Sequence, residues 1–130
     1  DLKKKINDES MRIKITGAVE EKLMPYYISS MDVYVSPSIN EGFGLSILNA
    51  MSAGKPVIAY NTTAIPELVD DKNGILVEPN DIKTLSDSIL YLIENDKERE
   101  KLGKNGMEKS MKYSWDKSIE EIIKIYNLFL

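Results

Sequence analysis

Cysteine and histidine are both absent from this sequence. Without cysteine there is no disulfide, no thiolate nucleophile and no Cys-based zinc site. Without histidine there is no Ser-His-Asp chemistry, no His-ligated metal and no imidazole base. Any general acid or base is therefore a carboxylate, a lysine or a tyrosine. Arginine is scarce too: Arg12 and Arg99 stand far apart, and the net charge is -4. No basic field invites nucleic acid or anionic lipid. No apolar run approaches the roughly 20 residues of a membrane span, and no signal-peptide pattern opens the sequence.

What is present suits one soluble domain. The 130 residues are 42% hydrophobic and 29% charged, enough to bury a core. Residues 1–10 are lysine-rich and read as the tail of a helix that begins upstream. Arg12-Ile13-Lys14-Ile15-Thr16-Gly17 alternates and is β-branched, which predicts a strand closed by a glycine. Glu20 to Ser30 is helical in composition, with Leu23, Tyr26, Tyr27 and Met31 as apolar positions and Pro25 near its start. Asp32 to Ser36 predicts a second strand, Lys55 to Tyr60 a third buried on both faces, and Gly74 to Val77 a fourth. Between them lie a short helix, Leu45 to Ala53, with Leu45, Leu48 and Met51 on one face and Gly54 just past its end, and a brief helix at Pro66-Glu67 capped by Thr62 or Thr63.

After Pro79 the pattern is helical. Asp81 caps a stripe of Ile82, Leu85, Ile89 and Ile93. Asp96 caps a polar helix weakened by Gly103 and Gly106. Ser114 precedes a last helix carrying Ile119, Ile122, Ile123, Tyr126 and Phe129, with Trp115 expected to staple it to the domain. Tyr26, Tyr27, Tyr34, Tyr60 and Tyr91 are expected in core or rim packing. Strands alternating with helices predict an α/β fold with a parallel sheet.

In such a sheet ligands sit beyond the carboxyl ends of the strands. The second strand runs into Pro37-Ser38-Ile39-Asn40-Glu41-Gly42-Phe43-Gly44 and then a helix. Two glycines astride an aromatic let backbone N–H groups face outward, and a helix start adds donors and partial positive charge that suit a phosphate. Glu41 beside an anion is repelled by it, so it is better placed to bond the hydroxyls of a sugar. The same residues also describe a tight turn with a solvated glutamate, and both readings stand on the residues alone.

The run from Ser36 to Ala59 resembles the signature of the group-1 retaining glycosyltransferases of GT-B fold. The likeness extends to the strand ending Ser36-Pro37-Ser38, to Ile65-Pro66-Glu67-Leu68-Val69, to Gly74-Ile75-Leu76-Val77-Glu78-Pro79 and to Tyr113-Ser114-Trp115. It implies a Rossmann-like parallel sheet flanked by helices, the C-terminal half of a GT-B architecture. Residues 1–130 are then one nucleotide-sugar-binding domain, partial at its N-terminal side, and 114–130 form a terminal helix that crosses to the other half. The resemblance implies transfer of a sugar from a nucleotide-diphosphate sugar to a carbohydrate or lipid-linked acceptor, without metal or other cofactor. Glu41, at the position of the family's first glutamate, bonds the donor sugar. The loop from Gly42, with the amides of Phe43, Gly44 and Leu45, meets sugar and distal phosphate, and Gly17, Ala18 and Val19 lie against the base. The implied partners are the sugar donor and an acceptor-binding N-terminal half. The expected location is cytoplasmic, peripheral to a membrane at most.

Several positions depart from the family pattern. The second glutamate, which grips ribose, is Asn49 here. An amide still donates and accepts, but loses a charge-assisted bond, about 1–2 kcal/mol or roughly tenfold in affinity. Asn49 is otherwise a polar position on a packed helix. Thr63-Ala64 stands where the family often has paired glycines. No residue matches the Arg-Lys pair that neutralises the leaving pyrophosphate. Lys3, Lys4, Lys5 and Lys14 read as solvated charges. By the family pattern two central strands are also missing, so neighbours pair directly or the sheet borrows strands. These departures keep open a non-catalytic binding or assembly module that completes an enzyme with another chain. The apolar face of the last helix, unpartnered in a lone domain, invites a homodimer.

Overall fold

A computed structural model of the chain describes residues 13–129. The expected helix tail at 1–10 and residue Arg12 lie outside them. A turn of 3₁₀ helix, Glu21–Leu23, leads into α1 (Met24–Ser29), with Pro25 in the first turn where its missing N–H breaks no bond. There follow β1 (Tyr34–Ser36), α2 (Leu45–Ser52), β2 (Val57–Tyr60), α3 (Ile65–Leu68) and β3 (Gly74–Val77). Three helices close the chain: α4 (Ile82–Glu94), α5 (Asp96–Ser110) and α6 (Trp115–Tyr126).

The strands form a parallel sheet in the order β1-β2-β3, with Tyr34 beside Val57 and Val57 beside Gly74. Neighbours in sequence pair directly, which answers the question of the missing strands for these three. All four residues of the central strand are buried. Alternate side chains of a strand point to opposite faces, and β2 divides the interior accordingly. Val57 and Ala59 join Ile47, Ala50, Met51, Ile65 and Leu68 on one side. Ile58 and Tyr60 join Val77, Leu92 and Leu102 on the other. Helices thus cover both faces, as the continuous apolar run Val57-Ile58-Ala59-Tyr60 requires.

Residues 13–17 form no strand, contrary to the expectation from their alternation. Ile13 and Ile15 are 52% and 44% exposed, and among the described residues no strand pairs with this segment. On α2 the buried stripe is Ile47, Ala50 and Met51, whereas Leu45 is 59% exposed. Both stripes obey helical spacing, and the sheet selects the one that faces it. In α1 the buried residue is Ile28, while Tyr26 and Tyr27 are exposed. Tyr60 is core and Tyr34 half-buried, but Tyr91 also lies at the surface.

Asp81 caps α4 through the Thr84 N–H at 3.0 Å, and Ser114 caps α6 through that of Lys117 at 3.3 Å. Asp96, by contrast, is the first residue of α5, and Asn95 holds the cap position without a side-chain cap bond, its amide donating back to the Tyr91 carbonyl of α4 at 2.7 Å. The end of α4 is closed further from the next helix. The Arg99 guanidinium donates to the carbonyls of Leu92 and Ile93 at 2.7 and 2.8 Å and pairs with Asp96 at 2.7 Å. Those carbonyls belong to the last turn of α4, where helical partners run out. Gly103 and Gly106 are buried on α5. A Cβ on Gly103 would stand 2.1 Å from the carbonyl oxygen of Gly54, so this glycine lets α5 press directly on the turn that ends α2. Trp115 does not staple α6, being 80% exposed, and α6 buries none of its residues.

Candidate functional site

The loops after β1 and β2 emerge side by side at the carboxyl edge of the sheet, the ligand-binding edge of open parallel sheets. The first carries Glu41 to Gly44. Gly44 has φ +87° and is buried. Glycine suits this left-handed turn, and a Cβ there would crowd Leu68 Cδ1 of α3 at 3.1 Å. That turn launches α2, whose first backbone bond is Leu48 N–H to the Gly44 carbonyl at 2.9 Å. Among the described residues nothing accepts from the N–H groups of Gly42 through Ile47. Three of them are first-turn donors that a helix cannot satisfy internally. A Cβ on Gly42 would meet nothing within 4 Å, so approach is open at this end of the stretch.

Glu41 is half-buried and fastened by its backbone. Its N–H donates to the Thr63 hydroxyl at 3.3 Å, and that hydroxyl donates to the Glu41 carbonyl at 2.8 Å. Thr63 therefore bonds across to the other loop and does not cap α3, whose N-cap is Ala64. Thr62 likewise donates to the Ser38 carbonyl at 3.3 Å. Two adjacent threonines stitch the loop after β2 to the loop after β1. The Glu41 carboxylate itself bonds to no described residue.

Asn49 is exposed and lines a cleft of about 340 Å³ with Glu21, Met24, Pro25, Ile28 and Ser52. Phe43 and Leu45 line a different, apolar groove of about 540 Å³ with Leu48, Tyr113 and Trp115. There the Phe43 ring meets Tyr113 edge to face, with centroids 5.9 Å apart and planes at 66°. The Tyr113 hydroxyl donates to the Glu67 carbonyl at 3.3 Å.

The structure thus gathers Glu41, Gly42, Phe43, Gly44 and Leu45 in one turn and sets Asn49 one helical turn past Leu45, facing a separate cleft. Gly17 and Val19 line neither. Gly17 does take φ +66°, with open space where a Cβ would be. Neither Thr63 nor Tyr113 stands out in the sequence as a neighbour of this loop. Both act through long-range contacts that local patterns do not register. Among the described residues no helix is long and apolar enough to cross a membrane.

A parallel sheet with helices on both faces and a glycine-turned strand-to-helix loop at its carboxyl edge defines a Rossmann-like α/β domain. More specifically, the chain belongs to the group 1 glycosyl transferases, whose family model matches residues 2–109. It is 37% identical over 116 residues to the O-antigen chain mannosyltransferase B of Escherichia coli, a match covering 89% of this chain and 30% of that protein. Sucrose-phosphate synthase of Thermosynechococcus elongatus superposes with a TM-score of 0.88 at 28% identity, over 98% of this chain and 32% of that one. Anabaena HepE in complex with UDP gives a TM-score of 0.71 at 26% identity, over 80% of this chain and 29% of that one. The chain spans 20% to 35% of the length of the first curated relatives it matches. The fold is that of the C-terminal half of a GT-B glycosyltransferase.

Proposed function

We propose that this chain is the donor-binding part of a retaining glycosyltransferase, which moves a sugar from a nucleotide-diphosphate sugar to a carbohydrate or lipid-linked acceptor. The observation that carries the reading is the stretch of N–H groups from Gly42 to Ile47 at the start of a helix, which have no acceptor among the described residues and which open space borders at Gly42. Such a stretch suits a phosphate and the oxygens next to it. The amides of Phe43, Gly44 and Leu45 hold the distal phosphate and the sugar. Glu41, anchored beside them with its carboxylate unpaired, accepts from sugar hydroxyls. Asn49 meets the ribose in its own cleft, and Gly17 and Val19 approach the base. The work of binding falls to backbone dipoles and a carboxylate, and needs no metal.

The working enzyme also requires an N-terminal half that carries the acceptor site, and a cationic pair for the leaving group that no residue here matches; without them this chain does not turn over. The exposed face of α6, with Ile119, Ile122, Ile123 and Tyr126 all at least half exposed, is the surface that half covers, or that a second copy covers in isolation. The location we propose is cytoplasmic. Titration tests the sugar-orienting role: Glu41→Ala weakens UDP-glucose more than UDP. Equal losses for the two ligands would remove that role. A second reading, a non-catalytic module that completes an enzyme from another chain, is favoured by the amide at Asn49 in place of a carboxylate. The native mass of the natural product, with or without a second polypeptide, separates the two.

A further inference from the structure

Thr63 holds a conformation that its own chemistry disfavours. Its φ is +45°, in the left-handed region where a β-branched side chain crowds its own backbone. Packing does not explain the choice, because the residue is exposed. Its hydroxyl does something no hydrocarbon can. It accepts the Glu41 N–H and donates to the Glu41 carbonyl, at 3.3 and 2.8 Å. A hydroxyl is a small group able to do both at once, with one donor and two lone pairs. Both bonds fall on a single residue, so the peptide units on either side of the Glu41 Cα are fixed relative to the end of β2. Past Glu41 the loop has no other such tie, since the N–H groups of Gly42, Phe43 and Gly44 have no acceptor among the described residues. Strained backbone of this kind survives where its surroundings over-determine it, and it collects at functional sites.

The geometry points to Thr63 as a positioning residue for Glu41. The left-handed backbone delivers the hydroxyl, and the hydroxyl sets the angle at which the Glu41 carboxylate meets a donor sugar. Thr63 therefore governs how well the site tells a sugar nucleotide from the bare nucleotide, although it touches neither. This inference rests on the donor-site reading above.

Two variants separate hydroxyl from backbone. Thr63→Ser keeps the hydroxyl, and Thr63→Gly accepts the left-handed φ more readily than threonine while removing it. Each is titrated, beside the unaltered chain, with UDP-glucose against UDP and with GDP-mannose against GDP, and folding is checked by circular dichroism. Thr63→Ser keeps the ratio of the two affinities. Thr63→Gly loses about tenfold in affinity for the sugar nucleotide, the loss of a hydrogen bond's worth of positioning, and leaves the nucleotide unchanged. The Glu41 amide also exchanges with solvent faster in Thr63→Gly, a readout that requires no ligand. A folded Thr63→Gly that keeps the parent ratio, or that weakens both ligands alike, overturns the proposal, as does a folded Thr63→Ser that fails to keep it. An unaltered chain that binds none of the four overturns the donor-site reading and this inference with it, even where the Glu41 amide is protected.

Discussion

Gly103 and Gly106 occupy the same helix three positions apart, and their replacement by alanine should move stability in opposite directions. Helix propensity treats them alike: alanine in place of an interior glycine gains about 0.8–1.0 kcal/mol. Their surroundings differ. A Cβ on Gly106 meets Met51 Cγ at 3.6 Å and the Asn73 carbonyl oxygen at 3.7 Å, both ordinary contacts. Gly106→Ala therefore keeps the propensity gain, about 1 kcal/mol of added stability. A Cβ on Gly103 meets the Gly54 carbonyl oxygen at 2.1 Å, where ordinary contact begins at 3.4 Å, with the Gly54 carbonyl carbon at 3.0 Å behind it. Backbone lies on both sides, so no side chain can swing away, and α5 must lift from the turn that ends α2. Overpacking of this kind costs about 1–3 kcal/mol, and a rigid contact belongs at the upper end. Set against the propensity gain, Gly103→Ala is destabilised by about 2 kcal/mol. The two variants then lie about 3 kcal/mol apart, or roughly 12 °C in Tm for a domain of this size. Urea unfolding at constant slope measures the difference as a shift of midpoint. Two shifts of the same sign and size would refute the reasoning, and would mean that α5 does not lie on Gly54 as closely as described.

Asn49→Glu tests the ribose contact. If Asn49 bonds ribose hydroxyls, restoring a carboxylate tightens UDP by about tenfold, read by calorimetry, and no change removes Asn49 from the site. The Asp70–Lys109 pair gives a pH signature. The Lys109 ammonium, 2.8 Å away, together with the Lys72 N–H, holds the Asp70 carboxyl below its usual 3.8 against the opposing effect of burial. A lowered folded-state pKa adds stability above the unfolded value, and that stability is lost as pH falls through the folded one. Lys109→Met therefore melts below the parent at neutral pH, and the gap closes as the solution is taken below pH ~4. A gap that is constant from pH 7 to 2 would mean the pair contributes nothing through charge. The Asp70 side chain is 42% exposed, so the effect at neutral pH is small.

The residues themselves made much of this molecule legible. Val57 to Tyr60 announced a strand buried on both faces, because four apolar residues in a row fit no half-exposed strand. Asp81 and Ser114 announced helix starts, because their side chains close on N–H groups three residues away. Gly42 to Gly44 announced backbone N–H groups left without partners, because glycines bring no side chain to bond them. The features that are not legible depend on partners distant in sequence. Ile13 and Ile15 alternate as a strand does, but alternation does not supply a neighbour to pair with. Leu45 and Ile47 begin equally good stripes on α2, and only the position of the sheet chooses between them. Gly103 read as a weakness of its helix until Gly54 stood against it. Thr63 read as a cap because its backbone angle and its partner across the loop are not written in its own neighbourhood.

The contact between Phe43 and Tyr113 bears on where this domain can be cut. The match to the family model ends at residue 109, and the sheet with both its hydrophobic layers is complete by Ser110. A shortened protein ending there keeps every strand, yet it strips the aromatic cover from the tip of the glycine turn and the tyrosine hydroxyl from the Glu67 carbonyl. The margin of the fold and the margin of the site therefore fall at different residues, and only the longer piece preserves both.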